Sequence, residues 1–170
     1  MQIPRRNLIF AFVMELMLLT VGKTDVDWVK EGLDLYVSRL KHYVPFRLEE
    51  IPQLKGVGAL SPGQIKQKEG ELILKRVPAG ARLILLDEHG REFRSMDFAS
   101  WIETQLSAGG KSLCFAVGGA YGFSDEVRSR AQGSISLSKM TFSHQMVRVL
   151  FAEQLYRAFT ILNGEPYHNE

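Results

Sequence analysis

The stretch LCFAVGGAYG, residues 113–122, decides the fold class. Its first half is a continuous apolar run of the kind that forms a central strand in a parallel sheet covered on both faces. Its second half is rich in glycine and predicts a turn directly after that strand. Ligands of open α/β sheets bind outside the carboxyl ends of the strands. The stretch therefore predicts an α/β protein, and its turn is either a ligand-binding loop or only a tight connection.

Strand and helix patterns alternate on both sides of this stretch. Further strands are predicted at 14–21, 46–51, 82–86 and 134–137, and helices at 28–41, 62–76, 95–106, from 124 onward, and 144–163. Ser61, Ser95 and Ser124 precede apolar-periodic segments and are expected to cap their helices. Gly164 is expected to end the last helix. The alternation predicts one α/β domain with a mostly parallel sheet.

Two more segments are expected at the same edge of the sheet as the glycine-rich turn. Residues 87–90 (DEHG) follow the predicted strand 82–86 and are expected to form a turn, with His89 in solvent. Residues 137–142 (LSKMTF) follow the last predicted strand and precede the last helix. The carboxyl ends of parallel strands meet at one edge, so the three segments together mark the candidate site.

Composition and charge exclude several classes of protein. The chain has 170 residues, 45% of them hydrophobic and 24% charged, which excludes disordered and low-complexity chains. A net charge of +2 does not by itself indicate that the protein binds nucleic acid. If the protein binds RNA, its cationic side chains must be clustered on one surface or brought together across an oligomer. Cys114 is the sole cysteine and the four histidines lack ligand spacing, so we expect no disulfide and no metal. A single cysteine fits a reducing compartment, and we expect a cytoplasmic location.

The amino-terminal segment superficially resembles a secretory signal. Arg5 and Arg6 precede a nearly apolar run over 8–21, but Glu15 interrupts that run. The run is also too short for a membrane span, and we expect none. We interpret 1–13 as an extension and 14–170 as the folded domain, with the signal peptide as the alternative.

The last helix has an unusual distribution of polar residues. Apolar residues cover most of its circumference, which is typical of a helix buried on several sides and predicts that a second subunit covers one of them. His144 and Arg148 form one polar stripe. Glu153, Arg157 and Thr160 form another on roughly the opposite side. The i,i+4 pair Glu153–Arg157 is either a simple ion pair or part of a functional site.

Several apparent motifs fail. The sequence VGKT at 21–24 has Met17 where a phosphate-binding loop requires glycine, so a nucleotide triphosphatase is not supported. The turn after Val117 has Ala120 in the place of the second glycine of G-x-G-x-x-G, which argues against a Rossmann-type cofactor site. The chain has no G-x-S-x-G, so an α/β-hydrolase is not supported.

Eight short pieces, taken in order, carry a resemblance to a known family. They are VGKT at 21–24, DWV at 27–29, LLD at 85–87, VGGAYG at 117–122, SLSKMTFSH at 136–144, VRV at 147–149, EQLYRA at 153–158 and PYH at 166–168. The set resembles the SPOUT-class RNA methyltransferases, and most closely the ribosomal RNA large subunit methyltransferase H family. The resemblance covers 14–170 and leaves 1–13 outside.

This resemblance implies a trefoil-knotted α/β fold, a homodimer and an enzyme. The implied reaction transfers a methyl group from S-adenosylmethionine to N3 of a pseudouridine in 23S rRNA, within the assembled 70S ribosome. Main-chain amides and carbonyls would hold the adenine and ribose, since this cofactor carries no phosphate. The implied cofactor-binding residues are Leu86, Gly118, Leu137, Ser138, Lys139, Met140, Thr141 and Phe142.

The resemblance also implies catalytic residues in the last helix and the tail, namely Glu153, Arg157, Tyr167 and His168. The planar guanidinium of Arg157 suits a phosphate or a base edge. Tyr167 is expected to stack on the target base. His168 is expected to take part in proton transfer or to orient the uracil edge.

Three further residues bear on the expected function. His144 and Arg148 are expected to shape the knot loop or the dimer interface. Asn169 stands where the family has a basic residue, which predicts weaker or more salt-sensitive rRNA binding. Two alternatives remain: a methyltransferase for another RNA, such as a tRNA, and a ribosome-binding assembly factor with little activity.

Overall fold

A five-stranded sheet runs through the part of the chain that the computed structural model describes, residues 14–169, in the order β2-β1-β4-β3-β5. All four strand pairings are parallel. The strands are β1 Glu15–Val21, β2 Phe46–Ile51, β3 Arg82–Glu92, β4 Ser112–Val117 and β5 Gly133–Ser136, and the helices are α1 Asp27–Leu40, α2 Pro62–Arg76, α3 Ser95–Ser107, α4 Asp125–Arg130 and α5 Met146–Leu162. The predicted α/β class and parallel sheet are confirmed.

Two hydrophobic cores lie on opposite faces of the sheet. Leu18 and Phe115 belong to the core that α1, α3 and α5 cover. Leu19 and Cys114 point the other way, into the core under α2 and α4. Side chains alternate between the faces of a strand, so strands covered on both faces must be largely apolar, as Leu16–Leu19 of β1 and Leu113–Val117 of β4 are. Helix α5 contacts both α1 and α3, which accounts for its wide apolar surface within one protomer.

Two of the three predicted serine caps are confirmed. Ser61 forms a capping box at the start of α2: its Oγ accepts from the Gln64 N–H at 3.2 Å, and Gln64 Oε1 accepts from the Ser61 N–H at 2.9 Å. Ser124 caps α4. The expectation for Ser95 is wrong, because it is the first residue of α3 and its Oγ donates to Gln154 Oε1 at 3.0 Å.

Strand β3 is longer than predicted. The expected turn at 87–90 is wrong, because the strand continues to Glu92 with a register shift in which both Leu86 and Arg91 pair with Ile135. A Cβ on Gly90 would lie 2.6 Å from the backbone of Ile135, so only glycine permits this close approach. Polar residues with glycine are typical of a turn, but pairing with β5 keeps them in the strand as a bulge.

Several boundaries and orientations also differ from prediction. Trp28, at the start of the predicted amphipathic helix, is 60% exposed, whereas Val29 and Leu33 are buried. Helix α5 begins at Met146 rather than 144, and Gly164 follows its end with a φ of 67°, as predicted. Residues 1–13, which the sequence analysis interprets as an extension, lie outside the described residues. Among the residues described, no helix is long and apolar enough to cross a membrane.

Candidate active site

A cavity of about 510 Å³ opens at the carboxyl ends of β3, β4 and β5. The bulge of β3, the glycine-rich turn and the segment leading to α5 all border it. Its lining residues are Leu86, Asp87, Glu88, His89, Val117, Gly118, Gly119, Ala120, Tyr121, Gly122, Phe123, Arg128, Ile135, Ser136, Leu137, Ser138, Met140, Thr141, Phe142, Ser143, His144 and Val147. The three segments that the sequence predicted at one edge therefore meet around one cavity.

The glycine-rich turn presents backbone to the cavity. The Gly122 N–H donates to the Gly119 carbonyl at 3.1 Å, and Gly122 has a φ of 78°, which closes the turn tightly. A Cβ on Gly118 would lie 3.3 Å from the backbone of Gly122. Small residues are therefore needed here to let main-chain groups approach a ligand.

Two acidic side chains at the cavity are already paired. Asp87 Oδ2 accepts from Arg128 Nη2 at 2.7 Å, and its Oδ1 accepts from the His89 N–H at 2.9 Å. Although burial opposes the shift, these contacts hold the pKa of Asp87 below its ordinary value. Glu88 Oε2 accepts from Thr141 Oγ1 at 2.5 Å, which ties the bulge of β3 to the segment 137–142 across the cavity.

Seven of the eight predicted cofactor residues line this cavity; Lys139 does not. The segment 137–142 is shaped by its own hydrogen bonds, since Ser138 Oγ accepts from the Met140 N–H at 3.0 Å. Met140 is 75% exposed, and Phe142 and Tyr121 are partly exposed at the rim. Apolar side chains grouped in this way mark a surface for a partner or ligand.

The cavity fits S-adenosylmethionine. Its volume lies in the range of cofactor pockets, and apolar side chains with a few polar groups are typical of such sites. Leu86, Val117 and Ile135 provide an apolar floor, and the turn supplies main-chain groups. Arg128 is the lining arginine and is neutralised by Asp87, as suits a ligand without phosphates. No group of three or more potential metal ligands occurs within 14–169.

The four predicted catalytic residues meet in a second cluster, formed by α5 and the tail. Glu153 Oε1 accepts from Arg157 Nη2 at 2.6 Å and from the Tyr167 hydroxyl at 3.0 Å. Arg157 Nη1 lies 3.1 Å from His168 Nδ1, and its guanidinium stacks on the Tyr167 ring at 4.8 Å. The pair Glu153–Arg157 is thus more than a helical ion pair, because it holds the tail against α5.

Helix α1 supplies a contact that the sequence analysis missed. The hydroxyl of Tyr36 lies 3.5 Å from that of Tyr167, whose ring packs edge-on against Tyr156 at 4.8 Å between centroids. Burial, followed by the hydrogen bonds to Tyr36 and Glu153, raises the pKa of Tyr167. Tyr167 is therefore a protonated donor at neutral pH. Tyr36 could not be found by spacing, because it reaches the tail only through the packing of α1 on α5.

The cluster and the cavity are separate within one protomer. Val147, near the start of α5, lines the cavity, but none of Glu153, Arg157, Tyr167 and His168 does. Arg157 follows Val147 by ten residues, about 15 Å along a helix. Methyl transfer needs the reacting atoms about 3–3.5 Å apart, so a single protomer in this conformation does not bring the cluster to a cofactor in the cavity.

Arg148 and His144, predicted to form one polar stripe, lie in different surroundings. His144 is exposed and lines the cavity, whereas Arg148 is fully buried. Arg148 Nη2 donates to the Val21 carbonyl at 2.8 Å, and Nη1 donates to the Gly22 carbonyl at 3.0 Å and to Thr24 Oγ1 at 2.9 Å. The arginine therefore joins the end of β1 to the start of α5.

Comparison with known proteins agrees with this architecture. A family model described as a predicted SPOUT methyltransferase matches residues 14–168. The chain belongs to the SPOUT methyltransferase family. Relatives named ribosomal RNA large subunit methyltransferase H are 50–54% identical over 92% of the chain, so the chain belongs to that group of the family. The predicted membership and the prediction of a methyltransferase are confirmed.

Two relatives illustrate the match to this SPOUT group. A ribosomal RNA large subunit methyltransferase H from Parabacteroides distasonis is 54% identical over 157 residues, which cover 92% of this chain and 100% of the relative. The protein of the same name from Phocaeicola vulgatus is 53% identical with the same coverage. Among solved structures, a probable methylase family protein from Haemophilus influenzae is similar in fold, with a TM-score of 0.50 and 13% identity, over 94% of this chain and 72% of that one.

Proposed function

We propose that this chain transfers a methyl group from S-adenosylmethionine to N3 of a pseudouridine in 23S rRNA of the assembled 70S ribosome. It acts as a cytoplasmic homodimer whose carboxyl-terminal chain forms a trefoil knot. The names of the relatives, which are 50–54% identical over 92% of the chain, support an rRNA substrate. The observation that carries the proposal is the assembly of Glu153, Arg157, Tyr167 and His168 into one hydrogen-bonded cluster.

The cofactor is bound in the cavity and supplies an activated methyl group. Gly118 and Gly119 bring main-chain groups to it, and Leu137 and Phe142 contribute apolar contacts from the segment before α5. Holding the donor in a fixed geometry lowers the barrier because the reacting atoms need not find each other by diffusion. The tie between Thr141 and Glu88 keeps this segment against the cavity.

The cluster binds and orients the target base. Glu153 holds the Arg157 guanidinium in place through two nitrogens, Nε at 3.1 Å and Nη2 at 2.6 Å. Arg157 stacks on Tyr167, and the two planar groups form a surface suited to a nucleobase and its phosphate. Arg157 is always a donor, so His168 Nδ1 accepts from it, and a neutral His168 carries its proton on Nε2. Held by this bond beside Arg157 and Tyr167, His168 orients the uracil edge.

A second copy of the chain completes the site. The cluster lies about 15 Å along α5 from the residue of that helix that lines the cavity, which is too far for direct transfer within one protomer. Met140, Phe142 and Tyr121 are exposed around the cavity and supply apolar surface for a partner. In the homodimer, the cluster of one protomer faces the cavity of the other.

Methyl transfer to defined ribosomes tests the function. Ribosomes that lack the modification are incubated with the full chain and methyl-labelled S-adenosylmethionine, and ribosomes that also lack pseudouridine serve as the control. We expect label in 23S rRNA of the first sample only. Label in tRNA instead, or cofactor binding without any transfer, would contradict the proposal and favour another RNA substrate or an assembly factor, respectively.

A further inference from the structure

Glu69 is a buried carboxylate whose Oε2 has no hydrogen-bond partner among the described residues. It lies on α2, on the opposite face of the sheet from α5, and is only 7% exposed. Burial raises the pKa of this carboxyl, because water no longer solvates its charge. Buried charges are normally paired with an opposite charge, so we expect a cation to lie close to Glu69.

The carboxylate lies directly behind the cavity. A Cβ built on Gly119 would come within 2.3 Å of Glu69 Oε2 and 2.7 Å of its Oε1, so both oxygens face the bare Cα of this glycine. Gly119 also lines the cavity. A single stretch of backbone, without a side chain, therefore separates the carboxylate from the cofactor site.

We propose that Glu69 is the counter-charge for the sulfonium of the cofactor, and that it makes the cavity prefer the methyl donor to the demethylated product. This inference rests on the proposed function, since only a sulfonium donor changes charge in this way. During transfer the methyl carbon forms a bond to N3 as its bond to sulfur breaks, and N3 gives up its proton to solvent. The electron pair of the broken bond stays on sulfur, so the remaining thioether, S-adenosylhomocysteine, has lost the positive charge. The carboxylate attracts the positively charged sulfur of the donor and does not attract the uncharged sulfur of the product. It therefore favours replacement of the bound product by a new donor molecule.

Glu69 is suited to this role because the charges of the other acids at the cavity are neutralised or screened. Asp87 pairs with Arg128, and the side chain of Glu88 is 46% exposed, so that water screens its charge. Opposite charges separated by one layer of backbone, at an effective dielectric constant of about 20, attract strongly enough to change an affinity about tenfold. We expect an effect of about tenfold on the preference for donor over product.

Calorimetric titration of the full chain tests this role. The ligands are S-adenosylmethionine, S-adenosylhomocysteine and sinefungin, an analogue with a protonated amine near the position of the sulfonium. Glu69→Gln is expected to weaken the two cationic ligands about tenfold and to leave S-adenosylhomocysteine within about twofold. The control Glu71→Gln changes an exposed acid on the same helix and is expected to alter none of the three affinities.

The outcomes separate this role from the proposed function. Equal weakening of all three ligands by Glu69→Gln, or no weakening, would overturn the counter-charge role while leaving the cofactor assignment intact. Failure of the unchanged protein to bind any of them would overturn both. Glu69→Asp keeps the negative charge, but its shorter side chain moves that charge away from Gly119. We therefore expect a preference for donor over product that lies between those of the unchanged protein and Glu69→Gln. If Glu69→Gln does not fold, an unchanged preference in Glu69→Asp is the overturning result.

Discussion

Arg148 Nη1 donates a hydrogen bond of 3.0 Å to the backbone carbonyl of Gly22, although the two residues are 126 positions apart in the sequence. The hydrogen bond is buried. The same guanidinium reaches the Val21 carbonyl and the carboxylate of Glu50. Burial lowers the pKa of Arg148, but an arginine remains charged at every physiological pH. This buried cation fixes the loop after β1 to the helix that borders the cavity.

Removal of the Arg148 side chain is expected to be strongly destabilising. Arg148→Ala removes the guanidinium that donates to the buried carbonyls of Val21 and Gly22, and we expect a loss of about 3–5 kcal/mol in the free energy of unfolding. Urea denaturation followed by circular dichroism measures it. Arg148→Lys keeps the charge but not the planar fork, and should lose less. A loss below about 1 kcal/mol in Arg148→Ala would show that water replaces the side chain.

The cluster on α5 is expected to act on the transfer step and not on cofactor binding. Arg157→Ala should lower kcat for methyl transfer by a factor of about 100 or more, because a charged group that orients the base is lost. The Kd for S-adenosylmethionine should stay within about twofold, since Arg157 does not line the cavity. Single-turnover transfer and calorimetry give the two values. A Kd that rises in step with the loss of kcat would place Arg157 at the cofactor instead.

The segment 137–142 offers a matched pair of variants for the cofactor site. Phe142→Ala removes a side chain that lines the cavity and is expected to weaken S-adenosylmethionine by about tenfold, in proportion to the apolar area lost. Lys139→Ala removes one that does not line it, and the Kd should be unchanged. Calorimetric titration of both variants checks this. A larger effect from Lys139→Ala would mean that its ammonium group reaches the bound cofactor.

Glu69 is expected to make stability depend on pH. Burial raises the pKa of its carboxyl in the folded protein. The protonated carboxyl therefore makes its full contribution to the free energy of unfolding at pH values below about 4.3, the pKa of glutamate in the unfolded chain. This contribution is lost as the pH rises through the higher pKa of the folded protein. Glu69→Gln should raise the free energy of unfolding at pH 8 by about 1 kcal/mol and by much less near pH 4. Thermal unfolding across this range measures the difference, with Glu71→Gln as the control, and a constant difference would contradict the expected titration.

Deletion of residues 1–13 is expected to leave folding, dimerisation and methyl transfer intact. The family match begins at residue 14, where the first buried strand is about to start. Size-exclusion chromatography with light scattering and the ribosome assay compare the shortened and full chains. Loss of the folded dimer on deletion would show that these residues belong to the domain.

Local patterns predicted much of the fold because they express local physics. The apolar runs of β1 and β4 required a strand covered on both faces, and Ser61 followed by Gln64 formed the capping box that its spacing allows. The polar run 87–90 was misjudged because its conformation depends on pairing with β5, which no local pattern encodes. Trp28 shows the same dependence on packing: its place near the apolar period of α1 would allow burial, but the packing of α1 buries Val29 and leaves Trp28 exposed.

Local patterns were enough to predict most of the strands and helices, the family and the facing pair Glu153–Arg157, since each rests on neighbouring residues or on the order of short motifs. The distant groups that meet are selected by the packing of the folded chain. It placed Tyr36 against Tyr167, the guanidinium of Arg148 under Gly22, and Glu69 behind Gly119. These contacts join side chains from different layers of the sheet and helices. Which residues form these contacts depends on how the layers pack and on the need for buried polar groups to form hydrogen bonds. Neither can be predicted from the spacing of residues along the chain.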